Sequence, residues 1–141
     1  MEKKRLFRIL ARADAATVAA MAERLQAGHS VTVVREPSKT LAMVKLRETA
    51  ESSLFYLGEV IVWEASVTLD GERGMAVTMG NIAEKALHMA IIDAAVNSGV
   101  FEEDDALLAL EAEQGQQLMR ENALHRQTLV SFTSIDTEMP T

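Results

Sequence analysis

The chain of 141 residues contains no cysteine. Disulfides, thiol catalysis, iron–sulfur clusters and cysteine-type zinc sites are therefore excluded within it, and a cytoplasmic setting fits that composition. Positive charge is also scarce. Fourteen Lys and Arg stand against 21 Asp and Glu, a formal net charge of −7. A general nucleic-acid binder needs a basic surface to neutralise phosphates, so nucleic acid is not an expected partner. No apolar run approaches the roughly 18 residues needed to span a bilayer, so no membrane is expected either. The opening MEKKRLFRILARAD starts basic, like a signal peptide. Arg8 and Arg12 interrupt its apolar stretch and no A-x-A pattern follows, so none is expected.

Catalytic constellations are missing as well. His29, His88 and His125 show no metal-ligand spacing, and surface or capping roles account for them. Glu84 and His88 lie one helical turn apart, but two candidates do not make a zinc site. Ser52, Ser53 and Ser66 lack a G-x-S-x-G setting. Gly71, Gly74 and Gly80 match neither a dinucleotide fingerprint nor a P-loop. Glu59 and Glu64, five residues apart on one strand, point to opposite faces unless a bulge intervenes. No metal, cofactor or catalytic residue is expected.

What is present reads as one folded domain. Hydrophobic residues make up 48% and charged residues 25%, which is ordinary for a globular chain. Charge is unevenly spread. Lys3, Lys4, Arg5, Arg8 and Arg12 oppose only Glu2 at the start. Glu102, Glu103, Asp104, Asp105, Glu111, Glu113 and Glu121 oppose only Arg120 later. These are either solvated faces or docking surfaces for partner chains.

The predicted order is ααββββααβ. Residues 1–30 carry two helices, the first with Leu6, Ile9, Leu10 and Ala13 on one face, the second N-capped by Asp14 and ended by Gly28. Val18, Met21, Ala22 and Leu25 form the second helix's apolar stripe. Residues 31–80 form an antiparallel meander. SVTVVREP is a strand ended by Pro37, KTLAMVKLRET a second, and AESS turns into a third. DGERG is a hairpin loop, followed by a strand with Met75, Val77 and Met79 on one side and Ala76 and Thr78 on the other. Residues 81–126 return to helix. Asn81 and Glu84 suggest a capping box and Gly99 a stop, and an acidic helix covers 103–126 with a weak stripe of Leu107, Leu110, Gln114 and Leu118. TLVSFTSI, within 127–135, reads as a final strand, and 136–141 as a loose tail. The expected architecture is a single α+β domain over 1–141. It has a meander of about four to five strands and helices packed on one face.

Within FYLGEVIVWEASV, residues 55, 57, 59, 61, 63, 65 and 67 share one side by strand alternation, and all are apolar except Glu59. A bulge at Gly58 would turn Glu59 outward. Otherwise the carboxylate is buried and needs a cation such as Arg35, Lys45 or Arg47. Asp93 poses the same question inside the apolar stripe of the third helix. A backbone or tyrosine bond, or pairing with a basic residue of the sheet or of a partner, would answer it. Arg35, Lys45 and Arg47, expected on adjacent strands, either hold a phosphate or pair with Glu36 and Glu48. The eight methionines read as core filling.

The ordered set Arg35-Glu36-Pro37, VKLRET, FYLGEV, EASVTL, the DG-x-x-G turn, Gly80 and the helix ending at Asp93-Ala94 resembles the PhnG family. These are accessory subunits of bacterial carbon–phosphorus lyase, which extracts phosphate from phosphonates. The resemblance covers roughly residues 31–96 and extends faintly into LVSFTSI. The chain departs from the pattern after Pro37, where it reads PSKTLAMV, and at Trp63 and Asn81. The resemblance implies a non-catalytic partner of a PhnI-type subunit, which displaces adenine from ATP with a phosphonate to make a ribose triphosphate product. PhnH- and PhnJ-type subunits join the same complex, and PhnJ carries the radical chemistry. The alternative left open by the residues is a self-associating binder of a small anion through Arg35, Lys45 and Arg47. A weaker third reading is an enzyme using Glu59.

Overall fold

The computed structural model describes residues 1–47 and 54–138, with side chains described for 1–43 and 58–124. In chain order the elements are α1 (Lys3–Arg12), α2 (Ala15–Gly28), β1 (Val31–Arg47), β2 (Leu54–Leu69), β3 (Glu72–Met79), α3 (Ala83–Ser98) and α4 (Asp104–Glu138). Two compact units result, Met1–Asp104 and Asp105–Thr141. The fold class is α+β, as the element pattern predicts.

In the first unit β2 lies between β1 and β3 in an antiparallel sheet. The β2–β3 register runs without a shift from Leu69 opposite Glu72 to Val62 opposite Met79. Gly74, Ala76 and Thr78 point inward while Met75, Val77 and Met79 point outward, the alternation that the sequence predicts. Ala65, Val67 and Leu69 of β2 join the inner side and are fully buried. Against this side lies α3, which buries a continuous run from Met89 to Ala95. It comes so close that a methyl on Gly74 would overlap the backbone nitrogen of Ala94 and the carbonyl oxygen of Ala90. Glycine is used here for space, not for an unusual dihedral.

On α1, Leu6, Ile9 and Leu10 are buried, and on α2 Val18, Met21, Ala22 and Leu25. Both stripes are those read from the sequence. Each large side chain taken out of water contributes about 1.5–3 kcal/mol before chain entropy is counted. The last turn of α1 is fixed by Lys85, whose ammonium donates to the carbonyls of Ala11 and Ala13, each at 2.7 Å.

Several expectations are corrected. Residues 31–47 form one strand, not two parted at Pro37. β1 is an edge strand, where a missing N–H is tolerated, and Pro37 sits in an irregularity between the pairs Arg35–Ser66 and Ser38–Glu64. The described sheet therefore has three strands instead of four to five. The segment read as a strand at 127–135 is helical backbone within α4. No Gly or Pro interrupts residues 116–138, and extending an existing helix adds one hydrogen bond per residue fixed, which outweighs the strand preference of Thr, Val, Phe and Ile. The capping box is absent because Ile82, not Asn81, holds the N-cap of α3 and spoils the spacing to Glu84. Asp14 does hold the α2 N-cap position, without a side-chain cap bond, and Gly28 is the last residue of α2. α3 stops at Gly99 as expected. The AESS turn lies outside the described residues.

The second unit is the body of α4. Its described side chains from Gly115 to Leu124 are exposed, including Leu118, Met119 and Leu124.

Candidate interaction surface

Glu59 answers neither of the two sequence alternatives in full. β1 and β2 pair Val44 with Gly58 and then Lys45 with Tyr56, which leaves Leu57 unpaired. That is the anticipated bulge, and Gly58 adopts φ 155°, a conformation that L side chains rarely take. The bulge lies before Glu59, so Glu59 keeps the phase of Ile61, Trp63, Ala65 and Val67. It is nonetheless exposed. The hairpin runs past the covered part of the sheet, and the carboxylate keeps its water.

Around Glu59 this side of the hairpin is apolar and open. Its cross-strand pairs are Met43–Glu59, Leu41–Ile61 and Lys39–Trp63. Leu41 is 62% exposed, Met43 59% and Ile61 57%. The Trp63 indole donates to the carbonyl of Gly80 at 3.1 Å, and the Lys39 ammonium lies 5.4 Å from the ring centroid. Lys39, Ile61, Trp63, Gly80 and Asn81 line a pocket of about 280 Å³. The opposite side of the sheet exposes Met75, Val77 and Met79. In the middle of that side the hydroxyl of Ser66 is buried with no hydrogen-bond partner.

Asp93 is a structural carboxylate. It is 5% exposed, accepts the Met75 N–H at 3.1 Å and pairs with Lys3. One side chain of α3 thereby closes an outward backbone donor of β3 and holds α1. Asn97, one turn later, donates to the Arg73 carbonyl at 2.8 Å, so this end of the β3 edge is blocked to further strands. The sequence anticipated the backbone partner of Asp93, but the expected cation was one of the sheet or of a partner chain; Lys3 lies on α1, 90 residues away, and carried no signal of its own.

Arg35, Lys45 and Arg47 are not brought together. All three lie on β1, and the ten residues from Arg35 to Lys45 span about 33 Å of strand. Arg35 reaches Glu64 of β2 at 3.4 Å, a long surface pair. The backbones of Lys45 and Arg47 lie opposite Tyr56 and Leu54, and their side chains are outside the described set.

Two further charged contacts tie loops. Arg24 donates to Glu103 through Nη2 at 2.5 Å and Nε at 3.1 Å, which holds the guanidinium's pKa above its usual value. Asp70, in the β2–β3 turn, accepts the Ser30 N–H at 3.0 Å and contacts His29 at 2.7 Å. The backbone donor and then His29 lower its pKa. Among the described residues no group of three or more His, Cys, Asp or Glu could hold a metal ion.

The family model for "Phosphonate metabolism protein PhnG" matches residues 1–136. The chain belongs to the PhnG family. No curated protein matches it significantly. Membership places the chain in phosphonate metabolism. The PhnG match spans both helical ends as well as the central block in which the resemblance was legible. No described helix of this PhnG-family chain is long and apolar enough to cross a membrane.

What the sequence reading missed is the hairpin side itself. The signal was available in KTLAM, where Lys39, Leu41 and Met43 alternate opposite Trp63, Ile61 and Glu59.

Proposed function

We propose that this chain is a non-catalytic subunit of the carbon–phosphorus lyase complex. It supports a PhnI-type subunit in transferring the ribose triphosphate of ATP to an alkylphosphonate, in the cytoplasm, and assembles with PhnH- and PhnJ-type subunits. The match to the PhnG family over residues 1–136 carries this reading. The exposed apolar row of Met75, Val77 and Met79 supports it, since contiguous apolar surface marks association sites. The acidic start and body of α4 offer a second contact, with electrostatics setting partner choice and encounter rate.

Co-purification with a PhnI-type subunit tests the α4 contact. Glu103 is already engaged by Arg24, so the informative set is Asp105, Glu113 and Glu121, all exposed. Changing these to Asn or Gln is expected to lower recovery of the complex and weaken its salt dependence. Unchanged recovery removes α4 from the interface.

A further inference from the structure

We infer that this chain self-associates through the open side of the β1–β2 hairpin, two copies meeting face to face across Leu41 and Ile61. The inference needs only the chain itself and stands apart from the assembly role proposed above.

Six of the described side chains on this side form a small grid. Lys39, Leu41 and Met43 run along β1, and Trp63, Ile61 and Glu59 run beside them along β2. The centre is apolar and well exposed, and the two charges sit at opposite ends. Lys39 and Glu59 are separated by two steps of the pleat, about 13 Å, too far to pair within one chain. Neither has an ion-pair partner among the described residues; Lys39 instead covers the Trp63 ring.

Most soluble homo-oligomers are closed by a two-fold axis, which demands a patch complementary to itself. This grid meets that demand. A two-fold axis parallel to the sheet and perpendicular to the strands, over the Leu41–Ile61 pair, reverses the strand direction in the second copy. Leu41 and Ile61 then lie against their own counterparts. The Lys39–Trp63 end of one copy meets the Met43–Glu59 end of the other. Each Lys39 then lies over Met43 with a Glu59 carboxylate diagonally beside it, and each Trp63 has a Met43 thioether as its diagonal neighbour, a contact that aromatic rings favour. Charge complementarity thus selects a second copy as the occupant. An unrelated apolar partner would leave both charges unmatched.

The patch is small. A standard interface uses about 20–30 residues a side, so the expected affinity is weak, in the range of tens to hundreds of micromolar. Sedimentation of the full chain from micromolar to submillimolar concentration, at low salt, reads it directly. The wild type is expected to pass from monomer to dimer. Ile61→Lys should weaken the dimer at least about tenfold, as loss of a central apolar anchor does, and Val77→Lys on the opposite side should leave it unchanged. Lys39→Glu and Glu59→Lys should each weaken it, and the double exchange should recover it, because the two charges merely trade places.

The absence of cysteine supplies a second measurement. Facing sheets lie about 10 Å apart, so a bis-maleimide of that reach should join two copies of Leu41→Cys and not two copies of Val77→Cys. A wild type that stays monomeric throughout would overturn the inference. So would a dimer indifferent to Ile61→Lys, or a double exchange no stronger than either single change.

Discussion

Replacing Gly74 by alanine probes the closest approach in the first unit. The added methyl would come within 2.6 Å of the Ala94 Cβ and would overlap the backbone of Ala94 and Ala90 more deeply still. Ordinary carbon–carbon contact begins near 3.5 Å, so α3 must retreat by on the order of 1 Å. Overpacking in cores costs about 1–3 kcal/mol where side chains can yield. Here the obstacles are main-chain atoms of a buried helix, so the upper end, about 3 kcal/mol, is expected. For a unit of this size each kcal/mol moves the melting temperature by about 4 °C, giving a fall of about 12 °C. Thermal and urea unfolding followed by circular dichroism measure both quantities. Gly28→Ala is the control, because a Cβ there meets nothing within 4 Å and the residue lies inside a helix. It should be neutral or stabilising by up to about 1 kcal/mol. A Gly74→Ala protein within about 1 kcal/mol of wild type would refute the close packing of α3 on β3.

Asp93→Ala should cost about 1–3 kcal/mol, by stranding the Met75 N–H and Lys3, and Asp93→Asn distinctly less, because the amide oxygen still accepts from Met75; urea titration distinguishes them. Lys85→Met removes two donors from the end of α1. It should cost about 1–2 kcal/mol after allowance for solvent screening, with hydrogen exchange speeding up in residues 3–13 first. Asp70 has a lowered pKa in the folded state, so its contribution to stability is present above the unfolded value of about 3.9 and lost as pH falls through the folded one. Asp70→Asn keeps the turn geometry, since Asn accepts the positive φ found there, and should flatten the loss of melting temperature below about pH 4. An acid limb identical to that of the wild type would count against the Ser30 and His29 contacts.

Where one side chain's periodicity decides an element, the sequence was sufficient. The α1 and α2 stripes, the alternation in β3 and the buried run of α3 all follow from spacing of apolar residues. Pro37 misled because a proline breaks only a strand that needs its N–H, and edge position is a property of the sheet, invisible in the local stretch. The 127–135 segment misled because β-branched residues state a weak preference, while helix propagation depends on what precedes them. The site was legible in half-form. Asp93 was singled out correctly as a buried carboxylate needing partners, but a contact to Lys3 spans most of the unit. Glu59 was singled out for the right phase, yet its exposure depends on how far the helix layer reaches along the hairpin. Arg35 parted from Lys45 and Arg47 once two supposed strands became one.

The most direct test of the central claim is product formation from ATP and an alkylphosphonate, measured by phosphorus NMR, with a PhnI-type subunit alone, this chain alone, and both together. The ribose triphosphate product should form efficiently only in the mixture and not at all with this chain alone. Full activity of the PhnI-type subunit without it, or turnover by this chain in isolation, would contradict the account.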